Sequence, residues 1–251
     1  MAMNKYLSII TLNVNGLNAP VKRHRITEWI RKHGTHICSL QESHLRTKDL
    51  HRMKVKSWKQ IFKANGKVKK KKKKAGVHTM LISDKIDFKK RAIKRDLEGH
   101  FIIVKGRIHQ EDINTVNIYA PNMRAPKCIK KILEGFKKDI DSKTIIVGEF
   151  KTPLSKLDRS SKQNINKDIV ALNNALDEMV LTEIFRAFHP KEAKYTFFLN
   201  GHGTFSKIDH MIRHKTSLNK IKKFEIISSI FSDHKGLELE INLKEKKKTK
   251  H

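Results

Sequence analysis

The sequence predicts an α+β fold, two stacked mixed sheets with helices outside them, on three observations. Strand candidates outnumber amphipathic helices eight to three. Several of those strands follow one another as hairpin-like neighbours, which a strict βαβ repeat would not allow. No stretch rich in Gly, Ser or Pro divides the 251 residues, and a chain of this length with 38% apolar residues is sufficient for one core. Residues 1–243 are therefore expected to form one domain, followed by a basic tail over residues 244–251.

The helices follow from periodicity. Ile26, Trp29 and Ile30 form a short stripe entered through Pro20 and closed near Gly34, in keeping with proline at a helix start and glycine past its end. Ile129, Ile132, Leu133, Phe136 and Ile140 repeat at i, i+3, i+4, i+7 and i+11, with Lys130, Lys131, Lys137 and Lys138 outside the stripe. Ile169, Leu172, Leu176 and Met179 make a third stripe behind Asn166, a helix-capping residue type. The strand candidates are residues 7–12, 37–40, 78–82, 101–104, 116–119, 144–147 and 208–212, and the alternation Leu237, Leu239, Ile241, Leu243. In the last, Glu238, Glu240 and Asn242 mark an expected wet face.

Charge narrows the partners. Lys and Arg number 55 against 25 Asp and Glu, a formal net charge of +30. Lys67, the run Lys69 to Lys74 and the tail from Lys244 contain 12 Lys and one Glu; without them 43 basic and 24 acidic residues remain, so the body itself carries an excess of +19. Such a field attracts polyanions, nucleic acid first and acidic membrane surfaces second. Like charges at the density of the lysine run repel, so that run reads as a solvated loop; an import signal or nucleic-acid contact is the functional alternative, and the tail reads the same way. No apolar run approaches the roughly 18 residues of a spanning helix and no secretory stretch opens the chain. The expectation is a soluble protein, nuclear and cytoplasmic, that does not engage membranes. Cys38 and Cys128 form no CxxC, match no zinc spacing and sit among apolar residues, so both are expected to be ordinary buried thiols.

The candidate chemistry lies at strand ends. Residues 7–12 run into Asn13 and Asn15, residues 37–40 into Gln41 and Glu42, residues 116–118 into Tyr119, and residues 144–147 into Gly148-Glu149-Phe150-Lys151. Asp209-His210 and Ser232-Asp233-His234 come later. Taken singly these are ordinary: a Glu past a strand is commonly surface, an Asn closes turns, a Tyr packs. Together, carboxylates with an amide suit magnesium, a hard cation that shares its shell with water and phosphate. Asn, Tyr and His supply donors to a phosphate on which charge develops. Asp209 and His234 suit a carboxylate–imidazole pair. The chain has no GxSxG, HExxH, GxxxxGK[ST] or GxGxxG, which removes the nucleophile elbow, zincin, P-loop and dinucleotide classes.

Thr11 to Asn18, Gln41-Glu42-Ser43-His44, Asn117 to Asn122, Tyr195 to Phe198, Ser206 to His210 and Ser232-Asp233-His234 resemble, in order and spacing, the endonuclease domain of mammalian long interspersed element (non-LTR) retrotransposons. That domain opens the element's second open reading frame protein and is similar to apurinic/apyrimidinic endonucleases, in the endonuclease/exonuclease/phosphatase superfamily. The resemblance covers about Tyr6 to Asn242. It implies a four-layer α/β/β/α sandwich and a magnesium-dependent nick in one strand of double-stranded DNA at T-rich sites, priming a reverse transcriptase region of the same polyprotein. A monomer is expected. Glu42 resembles the principal metal ligand, with Asn13 beside it. Tyr119 resembles a phosphate-contacting phenol, Asp209 and His234 the pair on the scissile phosphate, and Asp233 the acidic residue next to it. Asn15, Arg159, Thr196, His202 and Ser232 fall on DNA-binding positions, and the loop from Leu199 to Phe205 on a hairpin that probes the minor groove.

One motif departs from that pattern. The family reads Gly-Asp-Phe-Asn where this chain has Gly148-Glu149-Phe150-Lys151. Glu149 keeps the carboxylate with one more methylene, beyond the roughly 0.5 Å tolerance of a catalytic constellation. Lys151 replaces a neutral donor and acceptor by a cation that only donates. Impaired nicking is therefore expected. A catalytically silent nucleic-acid-binding remnant is the alternative, and a lipid or inositol phosphatase of the same superfamily a third reading, disfavoured by the lack of a membrane-facing apolar loop.

Overall fold

The computed structural model describes residues 6–45, 58–64, 76–161, 164–199 and 203–243. Its strands are β1 (Tyr6–Asn13), β2 (Ile37–Leu45), β3 (Trp58–Ala64), β4 (Gly76–Ser83), β5 (Phe88–Arg95), β6 (Phe101–Ile108), β7 (Glu111–Tyr119), β8 (Thr144–Glu149), β9 (Leu181–Glu183), β10 (Phe197–Leu199), β11 (Thr204–Ser206), β12 (Asp209–His214), β13 (Ile221–Ile227) and β14 (Gly236–Asn242). Its α-helices are α1 (Pro20–Lys32), α2 (Ala125–Gly135), α3 (Lys167–Glu178) and α4 (Ile184–Phe188). One six-stranded sheet has the order β13-β14-β1-β2-β4-β3, the other β5-β6-β7-β8-β12-β9, and β10 and β11 form a separate hairpin. Each large sheet is mixed: β1 with β2 and β7 with β8 are parallel, and the remaining pairs are antiparallel.

Side chains one residue apart on a strand point to opposite faces, and three apolar clusters follow from that alternation. Leu7, Ile9, Ile37 and Met80 of the first sheet meet Ile102, Val104, Val147 and Met211 of the second in the central layer. Their neighbours Ile10, Cys38 and Leu81 turn outward under α1, against Ile26 and Ile30. On the other outer face Ile103, Val116, Ile146 and Ile212 pack on α2 and α3 through Ile129, Leu133, Leu172 and Leu176. The result is the helix, sheet, sheet, helix layering expected from the sequence.

Local details refine the expectations. Asn166 caps α3 through its side chain, accepting from the Ile169 N–H at 3.0 Å. Helix α2 begins earlier and ends at Gly135, short of the predicted stripe; Phe136 and Ile140 still pack beneath it, but a 3-10 turn over Lys137–Asp139 carries the chain between them. Glycine disfavours helix continuation, which accounts for the break. The wet face predicted for β14 is only partly wet: Glu238 is 5% exposed, with His33, the C-cap of α1, at 3.8 Å and Lys223 of β13 at 4.0 Å from its carboxylate. Both cysteines are free thiols; Cys38 is buried as expected, but Cys128, on α2, is only half-buried. Among the described residues no helix is long and apolar enough to cross a membrane. The lysine run Lys69 to Lys74, residues 244–251 and His202 lie outside the described residues.

Candidate functional site

Parallel pairing brings the C-terminal ends of β1 and β2 to one edge of the first sheet, and those of β7 and β8 to one edge of the second. Antiparallel pairing adds the start of β12 beside β8, with Asp209 opposite Glu149, and the start of β14 beside β1, just after Ser232-Asp233-His234. The stacked sheets therefore present Asn13, Asn15, Glu42, Tyr119, Glu149, Lys151, Asp209 and His234 at one pole. Gly148 makes this possible. It has φ +132°, and a Cβ there would lie 2.0 Å from the Ile118 carbonyl oxygen. Only glycine lets β8 approach β7 so closely while Glu149 keeps its place opposite Tyr119.

Hydrogen bonds join the sheets across this pole. Asn13 Nδ2 donates to Glu149 Oε2 at 2.6 Å, and Asn13 Oδ1 accepts from the Asn15 N–H at 2.8 Å. The Tyr119 hydroxyl donates to Glu42 Oε1 at 2.5 Å. His234 Nδ1 meets Asp209 Oδ2 at 2.8 Å, while its Nε2 lies 3.9 Å from Glu149 Oε1. Lys151 Nζ stands 3.5 Å from Glu42 Oε1, 3.4 Å from Glu149 Oε1 and 4.6 Å from the centre of the Tyr119 ring. Three of these residues occupy the left-handed backbone region: Asn15 at φ 43°, Glu42 at 49° and Lys151 at 51°. Asparagine adopts it readily, whereas Glu and Lys do so rarely. Hydrogen bonds from Val14, Gly16 and Leu17 N–H to the carbonyls of Gln41, Glu42 and Ser43 hold Glu42 in place.

The electrostatics follow from burial and spacing. Glu149 is 2% exposed; burial and the neighbouring Asp209 raise its pKa to about 7. Burial opposes the charge on His234, but Asp209, with Glu149 and Asp233, prevails and raises its pKa to about 9. Burial likewise works against Glu42, yet the hydrogen bonds of Tyr119 and Asn13 and the charge of Lys151 hold its carboxyl below the usual range. The Tyr119 phenol is pushed well up by burial and by Glu42, so it stays protonated and can donate. His78 is fully buried edge-on to Tyr119, and burial lowers it to about 4, a neutral ring.

The remaining predicted residues have distinct surroundings. Ser232 Oγ accepts from the His234 N–H at 3.1 Å and donates to Asp233 at 3.2 Å; the Asp233 side chain is exposed. Thr196 is buried, and its hydroxyl accepts from the Ile208 and Asp209 N–H groups at 3.2 and 3.3 Å, so it positions Asp209. Arg159 is half-buried and bridges to Ser206 beside the β10–β11 hairpin, whose Phe198 and Phe205 rings lie 4.5 Å apart and are part-exposed. The hairpin meets the pole through Phe197, opposite His234.

Two supporting groups have roles that the sequence reading did not assign. Gln41 Nε2 donates to Asn117 Oδ1 at 2.6 Å and to Thr11 Oγ1 at 2.9 Å, a buried bridge between the sheets directly beneath Glu42 and Tyr119. Lys207, 1% exposed, lies 3.0 Å from Glu183, 3.7 Å from Asp158 and 3.1 Å from His210 Nδ1. Arg186 completes this network on Asp158 at 2.7 Å. The available signal was position: Gln41 precedes Glu42, Asn117 shares a strand face with Tyr119, and Lys207 sits two residues before Asp209.

A divalent cation does not fit this donor set as it stands. Glu42 and Glu149, the carboxylates best placed for one, face a shared ammonium, and Asp209 is committed to His234. Among the described residues no three His, Cys, Asp or Glu side chains converge as a metal site.

The chain matches no protein-family model. It is 25% identical over 242 residues to the Transposon TX1 uncharacterized 149 kDa protein of Xenopus laevis, a match covering 94% of this chain and 18% of that protein. The chain thus spans less than a fifth of that relative. Among solved structures it is similar to the endonuclease domain of TRAS1, a telomere-specific non-LTR retrotransposon, with TM-score 0.70, 13% identity and coverage of 95% of this chain and 99% of that one. The AP endonuclease LMAP of Leishmania major gives TM-score 0.76 and 12% identity over 96% of this chain and 89% of that one. An AP endonuclease of Archaeoglobus fulgidus gives 0.71 and 15% over 94% and 100%. The chain has the fold of these endonucleases.

Proposed function

We propose that the chain is the DNA endonuclease domain of a non-LTR retrotransposon protein, and that this copy binds double-stranded DNA but nicks it weakly or not at all. The supporting observation is the convergence, in this fold, of the Asp209–His234 pair, Glu149, Asn13, Tyr119 and Glu42 at one pole. A protonated His234 fixed by Asp209 can hold a phosphate oxygen, and the Tyr119 phenol and Asn13 amide are donors beside it. A carboxyl titrating near neutrality, as Glu149 does, suits proton removal from water. Here, however, one Glu149 oxygen is taken by Asn13 and the other faces Lys151 and His234. The reaction that the resemblance implies for the family is a magnesium-dependent nick at T-rich sites that primes reverse transcription by a reverse transcriptase region of the same polyprotein. Asn15, Arg159, Ser232 and, on the resemblance, His202 would carry DNA contacts, and the domain would act as a monomer in nucleus and cytoplasm.

A supercoiled-plasmid assay in magnesium tests this. Losing one oriented group typically costs about 10²- to 10³-fold in rate. The variant carrying Glu149→Asp with Lys151→Asn should therefore nick at least about a hundredfold faster than the parent. Parental nicking within about tenfold of that variant contradicts the impairment. Duplex affinity should fall steeply with salt, by nearly one log–log unit per phosphate neutralised. A flat response would favour a phosphatase acting on small phosphates.

A further inference from the structure

We infer that the Lys151 ammonium occupies the position of a divalent cation, as a tethered internal cation, so that the pole receives a DNA phosphate without added metal. This rests on the DNA reading above but concerns what holds the phosphate. Lys151 is the only described lysine that bridges Glu42 and Glu149, at 3.5 and 3.4 Å from one oxygen of each, and the Tyr119 ring lies against it at 4.6 Å. Its side chain is 17% exposed, enclosed by the groups that would otherwise have to be neutralised from solution. The left-handed backbone at Lys151 is the local conformation that accompanies this placement.

Formal charge supports the assignment. Glu42 and Asp209 bring two negative charges, Glu149 a third when ionised, and a protonated His234 one positive, so without Lys151 an incoming phosphodiester would meet a net charge between −1 and −2. Lys151 removes one of those charges at the bridge between two carboxylates. Its Nζ has three donors and no acceptor, so two can face carboxylates while a third remains for a phosphate oxygen. The same ammonium repels a divalent ion that approaches either carboxylate, which makes metal recruitment and lysine occupancy mutually exclusive.

The test compares the full chain with Lys151→Asn and with Lys151→Gly, which removes the cation without adding a ligand; both replacements accept a left-handed backbone. Manganese binding is read by electron paramagnetic resonance. Affinity for a T-rich duplex oligonucleotide is read by fluorescence anisotropy in EDTA and in magnesium at matched ionic strength. The parent should bind manganese at least about tenfold more weakly than either variant, and its duplex affinity should change less than about twofold on adding magnesium. Both variants should lose duplex affinity in EDTA and recover it with metal. Equal manganese affinity in all three proteins overturns the inference, as does a parental duplex affinity that rises with magnesium as much as the variants' does. If none of the proteins binds duplex, the DNA reading fails by itself; weaker manganese binding by the parent would then still support Lys151 as the internal cation, and equal binding would overturn it.

Discussion

Replacing Asp209 by Asn isolates the interaction that charges His234. In the structure His234 Nδ1 is 2.8 Å from the Asp209 carboxylate, both side chains are nearly buried, and the imidazole pKa is raised from 6.5 to about 9. A shift of that size corresponds to about 3 kcal/mol of differential stabilisation of the imidazolium, an upper figure for a pair in which Glu149 also takes part. Burial opposes the charge once Asp209 is neutral, so the His234 pKa should fall by about two units or more in Asp209→Asn. The assay is a proton–nitrogen NMR titration of the imidazole. The stability curve supplies a second readout. A group whose pKa is higher in the folded state stabilises fully below its unfolded value and loses that contribution as pH rises through the folded value. The parent should therefore lose stability between about pH 6.5 and 9 through His234, and this slope should flatten in Asp209→Asn. An unchanged His234 titration would show that the pair does not form, and the phosphate-holding role given to it would fall with it.

Three further outcomes follow from packing. Gly148→Ala should unfold the domain or cost at least about 3 kcal/mol by urea denaturation, because its methyl would strike the Ile118 carbonyl; a smaller loss would mean that β7 and β8 can separate. Arg213 is 2% exposed, its Nε and Nη1 have no partner among the described residues, and burial lowers its pKa to about 10. Glu111 offsets only part of that burial cost, so Arg213→Met should raise stability by about 1–3 kcal/mol, and a lower urea midpoint would count against the buried, incompletely hydrogen-bonded placement. Burial opposes ionisation of Glu183, but Lys207 and His210 hold it at about 2. Its contribution is present above the ordinary carboxylate range and is lost as pH falls from about 4.5 toward 2. In Glu183→Gln that part of the acid limb should disappear from thermal melts.

The strands visible in the sequence were those whose apolar runs or alternations survive in the fold, because burial on one or both faces selects such residues. Those that escaped have physical reasons. Strand β5 reads Phe-Lys-Lys-Arg-Ala-Ile-Lys-Arg and is largely exposed at the edge of its sheet, where lysines are favoured. In β13 a bulge between Ile221 and Lys223 shifts the register, so the apolar positions do not alternate along the sequence. The site divides in the same way. The sequence by itself determined the layering of the fold and the kinds of residue at its strand ends, since periodicity and residue chemistry are local properties. Whether Asn13 reaches Glu149, Asp209 meets His234, or Lys151 turns inward depends on parallel pairing within each sheet and on how the two sheets stack. Those are contacts between residues as many as 136 positions apart, and only the tertiary structure set Lys151 between Glu42 and Glu149.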